Sequence, residues 1–354
     1  MNYILFDGPF RTGLLPFTYT RPVADLRVGG LTIGQKWEFA LSSKISVKTE
    51  HYLSGLFPLH IEEDNIWINA GVFPSDALVM AIKALLPHQA LYHNSTLLAY
   101  RSQYFVEVEQ PDFVPINFDG AQIDLLQHTW DIFAQNERQI ECDFLKLSVQ
   151  HPSASLPDTV QAIAPERIYV ASGAQMTFCT MNASEGPIYI GENAIIMEGA
   201  MLRGPLFIGD GAVVKMGAKI YGGTTIGPYC KVGGEVNNSV LMGYSNKGHD
   251  GFLGNSVIGY WCNLGADTNT SNLKNNYDPV RLWDYDSQRF AQTGLQFCGL
   301  MMGDHSKCAI DTMFNTGTVV GVSANIFGSG FPRNFIPSFS WGGASGMTTY
   351  SLEK

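Results

Sequence analysis

A period of six runs through the second half of the chain. Ile190, Ile196, Leu202, Ile208, Val214, Ile220, Ile226 and Val232 fall six apart without a slip. Two residues before each stands Ile188, Ala194, Ala200, Leu206, Ala212, Ala218, Thr224 or Cys230, mostly small. Gly follows the anchor at 191, 209, 227 and 233. The period returns with Met302, Cys308, Phe314, Val320 and Ile326, and leaves traces at Val170 and Met176 and at Ile258 and Leu264. Six is neither the 3.6 of a helix nor the simple alternation of a strand. It is the repeat of a hexapeptide parallel β-helix, in which each hexapeptide makes one short strand and a turn. The aliphatic anchor points inward, and stacked coils bury a continuous column.

The pattern resembles left-handed β-helix proteins, and the expected hand comes from that resemblance. Two stretches break the period. Residues 234–252 carry fragments of it and 270–299 abandon it, so both read as insertions on the outside of the solenoid, where loops often carry function. Residues 1–150 show no such period. Ile4-Leu5-Phe6 and Ile66-Trp67-Ile68 read as buried strands. Residues 76–86 have helical spacing and stop before Pro87, and 121–147 read as one or two helices leading out of the first domain. Residues 151–158 are rich in Pro and Ser. The expected organisation is an α/β domain over 1–150, a linker over 151–164 and a parallel β-helix over 165–354.

Composition excludes several partners. The net charge is −10, with 22 Lys and Arg against 32 Asp and Glu, which disfavours duplex nucleic acid because phosphate neutralisation needs basic clusters. No apolar stretch approaches the ~18 residues of a membrane span. The N-terminal residues read as a first strand and not as a signal peptide. Six scattered cysteines form no CxxC pair, which suits reduced thiols in a cytoplasmic protein.

The richest polar segment is Asn246-Lys247-Gly248-His249-Asp250-Gly251-Phe252-Leu253-Gly254-Asn255. His249 lies where the period resumes, beside glycines that permit close approach of a substrate. A neutral imidazole can take a proton from an attacking amine. Asn263, Thr268, Ser271 and Asn272 follow, and would stack one coil above.

Residues 165–330 resemble the acetyltransferase domain of the bifunctional N-acetylglucosamine-1-phosphate uridyltransferase/glucosamine-1-phosphate N-acetyltransferase family. The resemblance rests on Lys247, Gly248-His249, Phe252-Leu253-Gly254, Ile258-Gly259, Asn263-Leu264-Gly265-Ala266, Thr268 and Asn272 in that order. The whole chain is most similar to the shorter, bacteroidete-type version of the family, through the stretches GLLPFTYTRPVADLRVG, KVGGEVNNSV, NKGHDGFLG, NLGADTNTSNLKNNY and ANIFGSGFP. The resemblance implies that His249 is a general base that deprotonates the amine of glucosamine 1-phosphate for attack on acetyl-CoA. It implies that Asn263 and Asn272 hold sugar or acyl groups, with Lys215, Lys231, Lys247 and Lys274 as phosphate cations. It also implies a homotrimer with sites between subunits. Phe252 stands where the family has Tyr, Leu273 where it has Tyr after Asn, and Asp267 where it has Gly.

The first domain resembles sugar nucleotidyltransferases more loosely. Their phosphate loop corresponds to the run Leu5 to Val23, with Gly8, Arg11, Thr12 and Gly13 in the loop and Arg21 or Arg27 as a cation in place of the usual Lys, where Val23 stands. Asn69 and Gly71 lie in a stretch that resembles the product-site strand. That resemblance implies a nucleoside triphosphate substrate and Mg²⁺; the family's metal-binding carboxylate has no clear counterpart in this sequence, which offers Asp7 and Asp64. Three alternatives stay open: one domain active and the other degenerate, a metal hydratase on the same β-helix, or a scaffold without catalysis. The hydratase needs three converging histidines, and the β-helix has only His249 and His305.

Overall fold

The computed structural model describes residues 1–106, 113–120 and 123–350. The chain forms two compact units. The first comprises Met1–Leu14, Thr18–Leu26 and Leu31–His128, and the second comprises Leu15–Phe17, Arg27–Gly30 and the chain from Thr129 onward. No helix of the described residues is long and apolar enough to cross a membrane. The six cysteines are free thiols, and all but Cys142 are buried.

In the first unit a six-stranded sheet runs in the order 45–48, 2–6, 65–69, 96–101, 89–93, 114–117. Asn2–Phe6 pairs in parallel with both Ile45–Lys48 and Asn65–Asn69. Its Ile4, Leu5 and Phe6 are buried because both faces of this strand are covered. Trp67 stacks on Tyr100 with ring centres 6.1 Å apart. The helix Ile33–Leu41 starts at a capping box in which Thr32 and Gln35 exchange hydrogen bonds of 2.9 and 3.2 Å. The helix Asp76–Lys83 starts on the Ser75 hydroxyl and ends three residues short of the expected 86.

The helices expected over 121–147 begin later, at Asp131–Ala134 and Asn136–Leu147; Ala121 and Gln122 lie outside the described residues. Leu125 instead bridges Val72, and the Leu126 amide donates to the Gly71 carbonyl. Backbone pairing therefore overrides the apolar spacing here. Both helices group with the solenoid and not with the first unit. Asn136 explains why. Its amide donates to the Gly223 carbonyl at 2.7 Å and to Thr225 Oγ1 at 3.0 Å, and its Oδ1 accepts from the Gly29 amide at 2.7 Å. Asp143 accepts from the Gly30 amide, and Arg27 Nε donates to the Met242 carbonyl. This buried polar set joins the segment Arg27–Gly30 and the helix Asn136–Leu147 to the outside of the solenoid.

The solenoid is a parallel β-helix with three faces. Ile190 pairs with Ile208 and Ile208 with Ile226 along the first face, eighteen residues per coil. Val214, Val232, Leu264, Cys308 and Ile326 continue the inner column of the second face. Leu202, Ile220, Val236 and Leu253 line the third. Each strand is two to four residues long, so one inward side chain per strand suffices, and each fully buried aliphatic contributes ~1.5–3 kcal/mol.

Residues 234–252 are not an insertion. They hold the strands Glu235–Asn237, Val240–Gly243 and Asn246–Lys247, all in register with the coil below. Ile226 pairs with Leu241, fifteen residues on, and Leu241 with Ile258, seventeen on. The period fails there because corners are shortened, not because chain is added. Residues 270–299 do leave the coil. Ile258 pairs with Met302, and the intervening chain forms the hairpin Arg281–Asp284 with Arg289–Gln292. Its base is closed by hydrogen bonds from the Cys298 amide to the Asn272 carbonyl and from the Gly299 amide to the Asn255 carbonyl.

Candidate functional site

His249 sits on the corner between the second and third faces. The corner one coil below has only Gly233 and Gly234 between Val232 and Glu235. Gly234 has φ +72°, and a Cβ there would lie 2.6 Å from the Gly251 carbonyl oxygen. Two residues without side chains let the backbone of the four-residue corner Gly248–Gly251 rest directly on this one, with the Gly248 carbonyl oxygen 2.7 Å from where a Cβ on Gly233 would be. Lys215, from the coil below that, reaches up beside both corners. Its Cβ lies 3.3 Å from where a Cβ on Gly233 would be, and its Cε lies 3.8 Å from the same position on Gly248. An aliphatic stem along glycine backbone with a solvated ammonium is the usual way a Lys covers such a surface. His249 is exposed, and its imidazole makes no hydrogen bond among the described residues.

Beside the corner, the outward side chains of the second face form a polar ladder. Lys231 pairs with Asn246, Asn246 with Asn263 and Asn263 with Lys307. Asn246 Nδ2 donates to Asn263 Oδ1 at 2.8 Å. Successive strands of a sheet lie ~4.8 Å apart, so the ladder presents one amide or cation per coil. One coil above His249, Asp267 occupies the matching corner with φ +56°. Asn269 donates to its carbonyl and carboxylate, and in turn accepts from the Phe252 amide.

The sequence-based set therefore divides. His249, Lys215, Lys231 and Asn263 share one edge of the solenoid. Asn272 lies at the far end of the short strand Phe252–Gly254, where its amide donates to Asn255 Oδ1 at 2.8 Å and the Phe252 ring closes over Gly254. Lys274 lies in the excursion and donates to the Pro279 carbonyl at 2.9 Å. Leu273 bridges Phe297 at the base of the same excursion.

Lys247 differs most from expectation. It stands in the inner column in register with Val232 and is 2% exposed. Its Nζ donates to the carbonyl oxygens of His249 at 2.6 Å and Asp250 at 3.1 Å. Burial pushes its ammonium down to about 8, against the opposing pull of Asp250, Asp267 and Cys308. It is not a surface cation for a substrate. The spacing Leu241, Lys247, Leu253 carried the signal, because a polar residue in an anchor phase is turned inward.

In the first unit the expected phosphate loop is closed on itself. Arg11 pairs with Asp7 at 3.2 Å and with Glu50 at 3.6 Å, and donates to the Thr18 carbonyl and Tyr52 hydroxyl. Arg21 is buried and pairs with Asp25 at 3.1 Å. Gly8 packs on the Asn69 side chain and Gly13 on the Gln127 carbonyl, while Thr12 is exposed. Asn69 is buried, donates to the Leu97 carbonyl and accepts from the Gly71 amide.

The two candidate metal carboxylates are engaged elsewhere. Asp7 accepts from Thr49, the Val23 amide and Arg11, and burial raises its pKa despite these partners. Asp64 forms a two-point pair with Arg101, which lowers its pKa. No cluster of three or more His, Cys, Asp or Glu placed to hold a metal occurs among the described residues. Asp7 and Asp64 thus already spend their oxygens on protein partners.

Residues 3–151 match the family model described as sugar nucleotidyl transferase. No curated protein matches the chain in sequence. Among solved structures the chain is similar to an Arabidopsis UDP-N-acetylglucosamine acyltransferase, at 15% identity over 56% of this chain and 75% of that one, with a TM-score of 0.25. It is also similar to the polySia-specific acetyltransferase NeuO, at 15% identity over 54% of this chain and 85% of that one, with a TM-score of 0.27.

Proposed function

We propose that the chain is a sugar-phosphate transferase whose β-helix moves an acetyl group from acetyl-CoA to the amine of glucosamine 1-phosphate. The observation that carries this reading is the exposed His249 on a glycine-flanked corner, with Lys215 reaching up beside that corner and the Lys231–Asn246–Asn263 ladder next to it. The imidazole takes a proton from the amine as the amine nitrogen attacks the thioester carbonyl. The tetrahedral intermediate then expels the CoA thiolate, which takes the proton back from the imidazolium. Lys215 and Lys231 supply charge for a sugar phosphate, and the amide ladder supplies donors and acceptors for hydroxyls. A cytoplasmic homotrimer with sites between subunits belongs to the same reading.

In its full form the reading adds a nucleotidyl transfer in the first unit. The match of residues 3–151 to the sugar nucleotidyl transferase model supports this. There the sugar phosphate oxygen attacks the α-phosphate of a nucleoside triphosphate and pyrophosphate leaves. A second reading, an acetyltransferase with a degenerate first unit, is favoured by the bonds that already engage Arg11, Arg21, Asp7 and Asp64.

Two assays on the full-length protein separate them. Thiol release from acetyl-CoA with glucosamine 1-phosphate reports the first step. Pyrophosphate release with uridine triphosphate, N-acetylglucosamine 1-phosphate and Mg²⁺ reports the second. Both signals support the bifunctional form, and thiol release alone supports the second reading. Neither signal across a panel of amino-sugar phosphates contradicts both.

A further inference from the structure

The corner that carries His249 is held differently from its neighbours. The corner one coil above closes on itself through the Thr268 amide and hydroxyl, which both donate to the Gly265 carbonyl. In the corner two coils below, the Ala218 amide donates to the Lys215 carbonyl. The corner Gly248-His249-Asp250-Gly251 has no such bond. Among the described residues, the hydrogen bonds that His249 and Asp250 make are the two their carbonyls accept from Lys247. Glycines flank the pair, and Gly251 has φ +115°, so its own backbone holds this turn weakly.

The direction of these bonds has a chemical result. Lys247 is buried in the column, so the carbonyls of His249 and Asp250 point toward the solenoid interior. Neither peptide is among the cis bonds of the chain. In a planar trans peptide the N–H lies opposite the C=O. The N–H groups of Asp250 and Gly251 therefore point away from Lys247, on the same corner that carries His249, and neither has a hydrogen-bond acceptor among the described residues. An ammonium on the oxygen of a peptide also polarises its N–H, which strengthens that donor.

We propose that Lys247 is a positioning residue that builds an oxyanion site: by holding two carbonyls inward it aims the Asp250 and Gly251 N–H groups at the charge that develops on the acyl carbonyl oxygen. The inference rests on the acyl-transfer reading of His249. It also accounts for a cation where every neighbouring coil has an apolar anchor. Preorganised donors of this kind act on the transition state and not on ground-state binding.

The test is Lys247→Met in the full-length protein, with Lys247→Leu as a second variant should the first fail to fold. Thiol release from acetyl-CoA with glucosamine 1-phosphate should show kcat lower by tenfold or more, with both KM values unchanged and Tm unchanged or higher. A role confined to folding lowers Tm and activity together. A loss carried wholly in KM, or full activity, overturns the proposal. A crystal structure of the variant gives a readout independent of turnover. The 249–250 and 250–251 peptide planes should rotate, and planes that keep their orientation overturn the proposal. Should wild type release no thiol, the acyl-transfer reading fails, and the crystal structure still decides whether Lys247 sets the turn.

Discussion

Replacing Lys247 by Met should stabilise the protein, and by an amount that depends on pH. The side chain is buried between Val232 and Leu264 in a column that is otherwise apolar in the neighbouring coils. Desolvation lowers its pKa from 10.5 to about 8. At ~1.36 kcal/mol per pH unit this difference is worth about 3 kcal/mol. The sign follows from proton counting. Between pH 8 and 10.5 the unfolded chain holds the proton more tightly than the folded one, so wild-type stability rises with pH across that window. The cost is fully present below pH 8 and vanishes above 10.5. Met fills a similar volume without charge and carries no such dependence. The two hydrogen bonds to the corner carbonyls offset part of the cost at neutral pH. Urea unfolding of wild type and variant at pH 7, 8, 9 and 10 measures the difference. The variant's advantage should shrink by about 2–3 kcal/mol from pH 7 to pH 10. The thiols of Cys230 and Cys298, which burial pushes up to about 12, titrate in the opposite sense, but equally in both proteins, so they cancel. A difference that stays flat with pH, or a variant several kcal/mol less stable at pH 7, would refute the reasoning.

Three further outcomes are expected. Gly234→Ala forces a Cβ to within 2.6 Å of the Gly251 carbonyl oxygen at φ +72°, so it should cost ~1–3 kcal/mol; an unchanged melting temperature would contradict this. Ile208→Ala opens a cavity in the first-face column, where the side chain is fully buried, and should lower stability by ~2–5 kcal/mol in urea melts. Arg11→Ala removes the pair with Asp7 and the bond to the Thr18 carbonyl, so limited proteolysis of residues 1–128 should accelerate; a raised nucleotide KM with unchanged proteolysis would instead mark Arg11 as a substrate contact.

The solenoid was legible because its physics is periodic. One buried aliphatic per strand repeats every six residues, and the registers at Ile190, Ile208 and Ile226 follow it directly. The same logic misled at 234–252. Shortened corners shift the phase without adding chain, and a phase shift looks like an insertion when only spacing is read. The corner residue His249 could be found from its glycines, and the inward turn of Lys247 from its spacing of six to Leu241 and Leu253, a phase shifted from that of the coils below. The helices at 131–147 have apolar spacing that identifies them as helices, but their grouping with the solenoid rests on Asn136, Asp143 and the distant segment Arg27–Gly30, pairings far apart in sequence. Arg11 and Arg21 fit a phosphate loop by type and order, and their carboxylate partners become visible only in three dimensions.

The central claim is that His249 is the base of an acyl transfer. It is tested most directly by steady-state thiol release from acetyl-CoA with glucosamine 1-phosphate, comparing wild type with His249→Ala at matched folding. The account predicts a kcat loss on the order of 10²-fold or more, since a positioned general base contributes that much, with the variant's melting temperature unchanged because the side chain is exposed. Equal turnover by the two proteins would contradict it.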